Sequence, residues 1–265
     1  MSVIALDGMG GDLGPEATVL GAIAAASDGQ QILLVGDQEI LNAHILRNGG
    51  HVSALRVVHA PDTIGMGEQV AREVRKRRNS SIWVGMELVK SHEAHAFVSM
   101  GNTGAMLAAS LLSLGRMPGV ERPGLAILLP TPGGSSLLID GGANADVRPK
   151  HLLQFAEMGS AYMRAMYDYA EPRVGLLSMV SEASKGSSQI VEAHGLLSSN
   201  SEINFVGNIE GGDIVTGECQ VVVTDGFTGN VLLKFLESVG SVLLGVLRAE
   251  LPRGRRAVSY THLRA

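Results

Sequence analysis

The chain has 265 residues, of which 45% are hydrophobic, and a formal net charge of -5. This length and composition allow one large or two small globular domains, exclude a disordered class and argue against general nucleic-acid binding. The single cysteine, Cys219, excludes an internal disulfide framework and a structural zinc site, which favours a reducing cytoplasm.

Short apolar runs alternate with helical patterns along the chain. The runs predict strands at Val3–Leu6, Gln31–Val35, Arg56–His59, Ala96–Ser99, Ala126–Leu129, Leu137–Ile139, Arg173–Leu177, Asn204–Val206 and Gln220–Thr224. The predicted helices are Pro15–Ser27, Gln38–Arg47, Glu68–Lys90, Thr103–Leu114, Pro149–Tyr169, Ser187–Ser199 and Asn230–Arg248. This alternation predicts a three-layer α/β/α fold with a mostly parallel sheet.

One pair of runs departs from the alternation. The linker Thr131-Pro132-Gly133-Gly134 inside Leu125–Asp140 is too short for a crossover helix, so it predicts an antiparallel hairpin.

We expect a single α/β domain over residues 1–250. Residues 251–265 lack core periodicity and a helix cap and resemble translated sequencing adapter, so we expect a non-native tail there and assign His262 no role.

Glycine turns follow four of the apolar runs. They are Asp7-Gly8-Met9-Gly10-Gly11-Asp12, Ser99-Met100-Gly101-Asn102-Thr103-Gly104, Asp140-Gly141-Gly142-Ala143-Asn144 and Asp225-Gly226-Phe227-Thr228-Gly229-Asn230. Ligands of open α/β folds bind at the carboxyl ends of the strands, so we expect the four turns to gather at one edge of one sheet. Glycines admit close approach to backbone N–H groups, and the helix that follows adds partial positive charge. The pattern therefore predicts a small anionic substrate.

Lys185 is the best single candidate for contact with that anion. Lys185-Gly186 lies between a predicted strand and the helix from Ser187, where an ammonium group and a helix N-terminus can act together. The alternative is a solvated loop lysine. Asn102 and Thr103 begin an apolar helix, where they donate to a phosphate oxygen or simply cap the helix.

Acidic residues need a separate explanation, because carboxylates repel phosphate unless they are paired or protonated. Three of them open glycine turns: Asp7, Asp140 and Asp225. Such groups can orient Lys185, lock turns, or accept a proton from monobasic phosphate. We favour a catalytic role for Asp225 with Asn230, and turn-locking for Asp140. Glu182 either pairs with Lys185 at the site or forms an ordinary surface pair.

Six motifs, in this order, resemble the bacterial phosphate acyltransferases of the PlsX family. They are Asp7 to Asp12 with Gly14-Pro15, Ser99 to Ala105, Asp140 to Asn144, Glu182 with Lys185-Gly186, Gly207 to Gly211, and Asp225 to Asn230. The match extends from about Ser2 to Arg248. The resemblance implies a fold similar to phosphotransacetylases and isopropylmalate dehydrogenases. It also implies reversible transfer of a long acyl chain from acyl carrier protein to inorganic phosphate, giving acyl phosphate for phospholipid synthesis.

The resemblance further implies a cytoplasmic homodimer with peripheral contact to the inner membrane, and a glycerol-3-phosphate acyltransferase that accepts the product. The predicted catalytic residues are Lys185, Asp225 and Asn230. The predicted substrate-binding residues are Asp7, Gly8, Gly10, Gly11, Asn102, Thr103, Gly104, Asp140, Asn144, Glu182 and Glu210. We predict no cofactor and no metal, because nothing in the sequence fixes a ligand geometry. Family chains continue past Arg248, so we expect a C-terminally truncated domain.

Five basic residues lie close together in this otherwise acidic chain: Arg72, Arg75, Lys76, Arg77 and Arg78. Acyl carrier proteins are acidic, so a local positive cluster can offset the long-range repulsion from a chain of net charge -5. We therefore predict that this basic cluster docks the carrier. A solvated helix face and an anionic membrane are the alternatives.

Three other functions are alternatives to this one. A dinucleotide-binding oxidoreductase is disfavoured because the third glycine of GxGxxG falls on Leu13. A phosphotransacetylase acting on acyl-CoA would share the fold and the phosphate but use another carrier. A non-catalytic membrane scaffold has only Val231–Leu247 in its favour. That segment contains Lys234 and Glu237 and is shorter than the ~20 residues a span needs, so we expect no span.

Overall fold

The computed structural model describes residues 2–49, 53–65, 70–132 and 134–250. The chain divides into two compact units, residues 1–118 and 119–265, each with its own sheet. Two compact units are not by themselves two independently folding domains, so the single domain expected over residues 1–250 stays a prediction. The tail expected to be non-native, 251–265, lies outside the described residues.

The first unit alternates strands and helices. Its elements are β1 (Val3–Asp7), α1 (Gly14–Ser27), β2 (Gln31–Gly36), α2 (Gln38–Arg47), β3 (Leu55–His59), α3 (Val70–Lys76), α4 (Ser81–Lys90), β4 (Ala96–Val98) and α5 (Thr103–Ser113). The strands pair in parallel in the order β3-β2-β1-β4. Ile32 and Leu34 of β2 pack against α1 and α2, whereas Leu33 and Val35 pack against α4 on the opposite face. Both faces of the sheet are therefore covered, as parallel sheets require.

The second unit contains the mixed sheet. Its elements are β5 (Ile127–Thr131), β6 (Gly134–Ile139), α6 (Pro149–Tyr167), β7 (Arg173–Leu177), α7 (Ser188–Ser199), β8 (Asn204–Ile209), α8 (Gly211–Thr216), β9 (Val221–Val223) and α9 (Gly226–Glu250). The strand order is β5-β6-β9-β7-β8, in which only the β5–β6 pair is antiparallel. Phe155 of α6 and Leu197 of α7 are buried on one face, and Ile214 of α8 is buried on the other.

The predicted fold class is confirmed, with three corrections. All nine predicted strands are present and the β5–β6 hairpin turns between Thr131 and Gly134. The expectation of one sheet is wrong, because the strands divide into two sheets. The helix expected over Glu68–Lys90 is divided into α3 and α4, since Ser80 caps a new helix by accepting from the N–H of Trp83. The short helix α8 was not predicted.

Helix α9 is longer than its sequence pattern indicated. It begins at Gly226 rather than Asn230, so the fourth glycine turn forms its first helical turn. Leu232 and Leu236 pack against the core of the second unit. Most of the remaining apolar side chains are exposed, and the large ones among them are Phe227, Val231, Phe235, Val239, Val242, Leu243, Leu244, Val246 and Leu247.

Helix α9 is longer than the segment whose length was taken from the sequence to be too short for a membrane span. With 24 residues over Gly226–Ala249 and a mean hydropathy of 1.6, the helix is long and apolar enough to cross a membrane. The expectation that it is too short therefore does not hold. One such helix is weak evidence for a span, and this one carries an ion pair between Lys234 and Glu237, whose Nζ and Oε2 atoms are 2.9 Å apart.

Candidate active site

The four glycine turns follow two pairs of neighbouring strands. In the first unit, β1 and β4 are neighbours and end in the Asp7 and Ser99 turns. In the second unit, β6 and β9 are neighbours and end in the Asp140 and Asp225 turns. The turns therefore lie at carboxyl ends, as expected for ligand-binding loops in this type of fold, but at two sheets rather than one.

Asp7 joins the two turns of the first unit. Its carboxylate, in a residue only 1% exposed, accepts hydrogen bonds from Ser99 Oγ at 2.7 Å and from the N–H of Met9 at 3.0 Å. Ser99 Oγ accepts in turn from the N–H of Gly101 at 3.0 Å. A Cβ at Gly10 would lie 2.7 Å from Asp7 Oδ2, so glycine is required there by packing. Asp7 thus holds the two turns together.

The other predicted binding residues of the first unit have mainly local contacts. A Cβ at Gly8 would lie 2.8 Å from Leu41, and Gly11 has a φ of +89°, which favours glycine. Asn102 caps α5, because its Oδ1 accepts from the N–H of Ala105 at 3.1 Å. Thr103 and Gly104 are exposed in the first turn of that helix. The capping role considered for Asn102 is present, and its contact with phosphate stays a prediction.

Asp140 is the most heavily hydrogen-bonded side chain of the second pair of turns. Its buried carboxylate accepts from four backbone N–H groups, at 2.8 to 3.1 Å, and from Asn144 Nδ2 at 2.8 Å. Those N–H groups belong to Leu125, Gly142, Ala143 and Asn144. Asn144 Nδ2 also donates to the carbonyl of Pro123 at 2.8 Å. The geometry at Asp140 is that of a turn-locking residue, and the peptide bond that precedes it is cis.

The start of α9 packs directly on the Asp140 turn. The N–H of Gly226 donates to the carbonyl of Asn144 at 2.8 Å. A Cβ at Gly226 would lie 2.7 Å from that carbonyl oxygen, and a Cβ at Gly229 would overlap the backbone carbonyl of Asp140. The glycines of this motif are therefore required by the contact between two turns, whatever ligand they also admit.

The predicted catalytic residues lie at the start of α9: Asp225 directly precedes the helix and Asn230 is its fifth residue. Asp225 Oδ1 accepts from the N–H of Thr228 and Oδ2 accepts from Thr228 Oγ1, both at 2.8 Å. Asp225 therefore caps the helix, yet it remains only half-buried. Asn230 is exposed and lies against Gly142, since a Cβ added to that glycine would be 3.3 Å from the Cβ of Asn230.

A cavity of about 400 Å³ lies at the carboxyl ends of β7 and β9, in the second unit. Its walls include Ser178 after β7, Gly186 and Ser187 before α7, and Asp225 and Thr228 at the start of α9. Ser187 caps α7 by accepting from the N–H of Ile190 at 3.3 Å. The N-terminus of α7 therefore contributes partial positive charge to the cavity wall.

In the chain, Lys185 directly precedes the residues before α7 that form part of the cavity wall. Its side chain is 62% exposed, and its Nζ is 3.1 Å from Glu182 Oε1. The pairing considered for these two residues is therefore present. The backbone carbonyl of Glu182 accepts from the N–H of Lys185 and from Asn208 Nδ2, both at 3.2 Å. Asn208 Oδ1 is 3.0 Å from His194 Nδ1.

These contacts identify residues that the sequence reasoning missed. Asn208 holds the loop that carries Lys185, and His194 contacts Asn208. The sequence feature that could have identified Asn208 is its place in the motif Gly207 to Gly211. Glu210 in the same motif is exposed at the start of α8, where its N–H donates to Asp213 Oδ2 at 2.8 Å.

The basic cluster lies on and after α3, and three of its members have defined contacts. Lys76 and Arg77 pair with Glu73 at 3.9 and 3.2 Å. The Arg78 guanidinium lies 5.1 Å from the ring centroid of Trp83 and borders a cavity of about 560 Å³ that the glycine-turn residues do not line. The other two members, Arg72 and Arg75, are exposed.

Neither a metal ion nor a cysteine nucleophile is supported by the described geometry. Across residues 2–49, 53–65, 70–132 and 134–250, no three His, Cys, Asp or Glu side chains lie close enough to hold a metal ion. Burial raises the pKa of the Cys219 thiol to about 11, so the thiolate is scarce at neutral pH. What the cavity offers an anion is hydroxyl groups and a helix N-terminus, and Lys185 directly precedes its wall in the chain.

Comparison with known sequences gives a consistent result. The sequence model of a family described as "Fatty acid synthesis protein" matches residues 2–261. A phosphate acyltransferase from Nostoc punctiforme is 48% identical over 254 residues, which is 95% of this chain and 74% of that protein. A phosphate acyltransferase from Thermus thermophilus is 51% identical over 254 residues, 96% of this chain and 76% of that protein.

Solved structures share the fold at low sequence identity. The EutD phosphotransacetylase from Staphylococcus aureus has a TM-score of 0.65 at 19% identity and covers 91% of this chain and 82% of its own. A 4-hydroxythreonine-4-phosphate dehydrogenase from Burkholderia phymatum has a TM-score of 0.55 at 18% identity and covers 89% of this chain and 84% of its own. These likenesses concern the fold alone, and they agree with the phosphotransacetylase-like and dehydrogenase-like fold expected from the motifs.

Proposed function

The chain belongs to the fatty acid synthesis protein family, the family of the phosphate acyltransferases, and on that premise we propose that its acyl donor is a long-chain acyl carrier protein. The enzyme is an acyltransferase that forms acyl phosphate for phospholipid synthesis. The observation that carries the proposal is the identity of 48 to 51% to phosphate acyltransferases over nearly the whole chain.

The proposed mechanism needs no protein nucleophile. An oxygen of hydrogen phosphate attacks the thioester carbonyl carbon, the C–S bond breaks, and the proton of the phosphate ends on the released thiol. Phosphate dianion is already a competent nucleophile and a thiolate leaves readily, so the site has mainly to position the reactants and stabilise the oxyanion. Lys185 and the N-terminus of α7 supply positive potential for both tasks.

An acyl-CoA-dependent phosphotransacetylase remains the alternative, because the fold is shared with such enzymes. The test supplies inorganic phosphate with palmitoyl-acyl carrier protein, palmitoyl-CoA or acetyl-CoA, and measures thiol release together with acyl phosphate. We expect phosphate-dependent release that is fastest with the carrier protein. Release only with the CoA thioesters would establish the alternative, and no release with any donor would contradict both.

The basic cluster provides a test of the carrier. Arg72→Glu with Arg75→Glu reverses the two exposed members and spares Lys76, Arg77 and Arg78, which make contacts inside the unit. We expect the KM for acyl carrier protein to rise roughly tenfold and its salt dependence to flatten, because the docking field is lost. The KM for phosphate should stay unchanged.

The matched control for this pair is Arg47→Glu with Arg56→Glu. Both residues are exposed in the first unit, and the double reversal changes the net charge by the same amount. Equal effects of the two double variants would mean that net charge matters and the cluster does not. Parallel losses for phosphate and carrier in the cluster variant would indicate a folding defect.

We also propose a cytoplasmic homodimer with peripheral membrane contact, whose product is taken up by a glycerol-3-phosphate acyltransferase. The exposed apolar side chains of α9 support such contacts. The Lys234–Glu237 ion pair opposes burial of the whole helix in lipid. We expect salt or carbonate to release the protein from membranes. Retention through carbonate washing, with release only by detergent, would contradict peripheral attachment.

A further inference from the structure

Two buried hydroxyl oxygens have no hydrogen-bond partner in the part of the chain that the structure describes: Ser160 Oγ and Ser178 Oγ. A buried hydroxyl without a partner costs stability and is uncommon in folded proteins, so each case calls for an explanation. Ser160 is enclosed within α6 and 1% exposed. Ser178 follows β7, is only partly buried as a residue, and lines the cavity between α7 and α9.

The surroundings of Ser178 fix its backbone and place its hydroxyl next to a glycine turn. Its N–H donates to the carbonyl of Ile209 at 2.9 Å, which holds the residue at the end of the sheet. Its Oγ faces Gly186, since a Cβ added to that glycine would lie 3.4 Å from the oxygen. Gly186 has a φ of +116°, so the turn favours glycine and keeps this space open. Ser178 and Gly186 both line the cavity, so the hydroxyl lies at its wall.

The charges around the cavity define which kind of ligand the Ser178 hydroxyl can bind. The N-terminus of α7 and the adjacent Lys185 favour an anion. Asp225 on the other wall already accepts two hydrogen bonds from Thr228, at 2.8 Å each. A hydrogen phosphate ion suits both sides, because its anionic oxygens accept hydrogen bonds while its P–O–H group donates to a carboxylate.

We propose that Ser178 donates a hydrogen bond to the attacking phosphate in the cavity between α7 and α9. The proposal rests on the proposed phosphate acyltransferase function and adds a phosphate contact to it. The hydroxyl has no partner among the described residues, and a phosphate oxygen held in this cavity would provide one. Ser178 therefore binds the nucleophile, and removing its hydroxyl should weaken the binding of phosphate but not that of the acyl donor.

The kinetic test compares Ser178→Ala with Ser160→Ala, which removes the other unpartnered hydroxyl outside the cavity. Ser178→Ala should raise the KM for phosphate about tenfold, the effect of losing a hydrogen bond to a charged group, and leave the KM for the acyl donor unchanged. Ser160→Ala should leave both KM values unchanged. Since each variant removes an unsatisfied group, the urea midpoints of both should equal or exceed that of the wild type. Ser178→Thr keeps a hydroxyl and should recover phosphate use.

A binding measurement separates this inference from the proposed function. Inorganic phosphate is titrated calorimetrically into the full chain and into both variants. Weaker binding only in Ser178→Ala supports the site, even if the wild type forms no acyl phosphate. Equal binding by all three proteins overturns the inference, as does equal weakening in both variants or a wild type that does not bind phosphate.

Discussion

Lys185→Ala is expected to lower kcat/KM with phosphate by about thirtyfold to a thousandfold, which corresponds to a loss of about 2 to 4 kcal/mol of transition-state stabilisation. The reason is positional. Lys185 directly precedes Gly186 and Ser187 of the cavity wall, and we expect its ammonium group to stabilise the negative charge that develops on phosphate and on the thioester oxygen. Steady-state kinetics with phosphate as the varied substrate measures the effect.

Lys234→Ala is the matched control for this lysine. Lys234 is 66% exposed and pairs with Glu237 at i,i+3, just as Lys185 is 62% exposed and pairs with Glu182 three residues before it. Exposed pairs of this kind contribute little to stability, so neither variant should unfold the chain. If Lys185→Ala stays within about twofold of the wild type, as Lys234→Ala should, the lysine is a solvated loop residue.

Asp140→Ala is expected to destabilise the second unit by about 3 to 5 kcal/mol, because it leaves several buried donors without an acceptor. The buried carboxylate accepts from four backbone N–H groups and from Asn144 Nδ2. Proteins are stable by only about 5 to 15 kcal/mol, so this loss should bring the unit close to unfolding at room temperature. A urea titration followed by circular dichroism measures it.

Asp225→Ala is the comparison for Asp140→Ala, since both aspartates open an Asp-Gly turn in the same unit. Asp225 is half-buried and its carboxylate hydrogen-bonds Thr228 at the start of α9, so its loss should cost about 1 kcal/mol, as for other helix caps. A folded Asp225→Ala variant with much reduced turnover would support the predicted catalytic role. Equal urea midpoints for the two variants would contradict the assignment of Asp140 as the turn lock.

The sequence alone determined most of the elements and their type. Strand and helix patterns depend on neighbours a few residues apart, so β2 could be predicted from its apolar run, and the β5–β6 hairpin from a linker too short for a helix. The sequence also revealed the family, because six motifs in order are spread over nearly the whole chain. Local patterns were less informative at α9, where a turn motif proved to be the first turn of a helix.

Only the tertiary structure decided what the individual motif residues contact. Asp7, Asp140 and Asp225 open similar turns in the sequence, yet Asp7 bonds Ser99, which is 92 residues away, and Asp140 bonds Leu125, which is 15 residues away. The Asp225 carboxylate bonds Thr228 in its own turn. Burial and long-range partners produce these differences, and neither is visible in a window of a few residues. For the same reason the unpartnered hydroxyl of Ser178 appeared only when β7, α7 and α9 had been placed around one cavity.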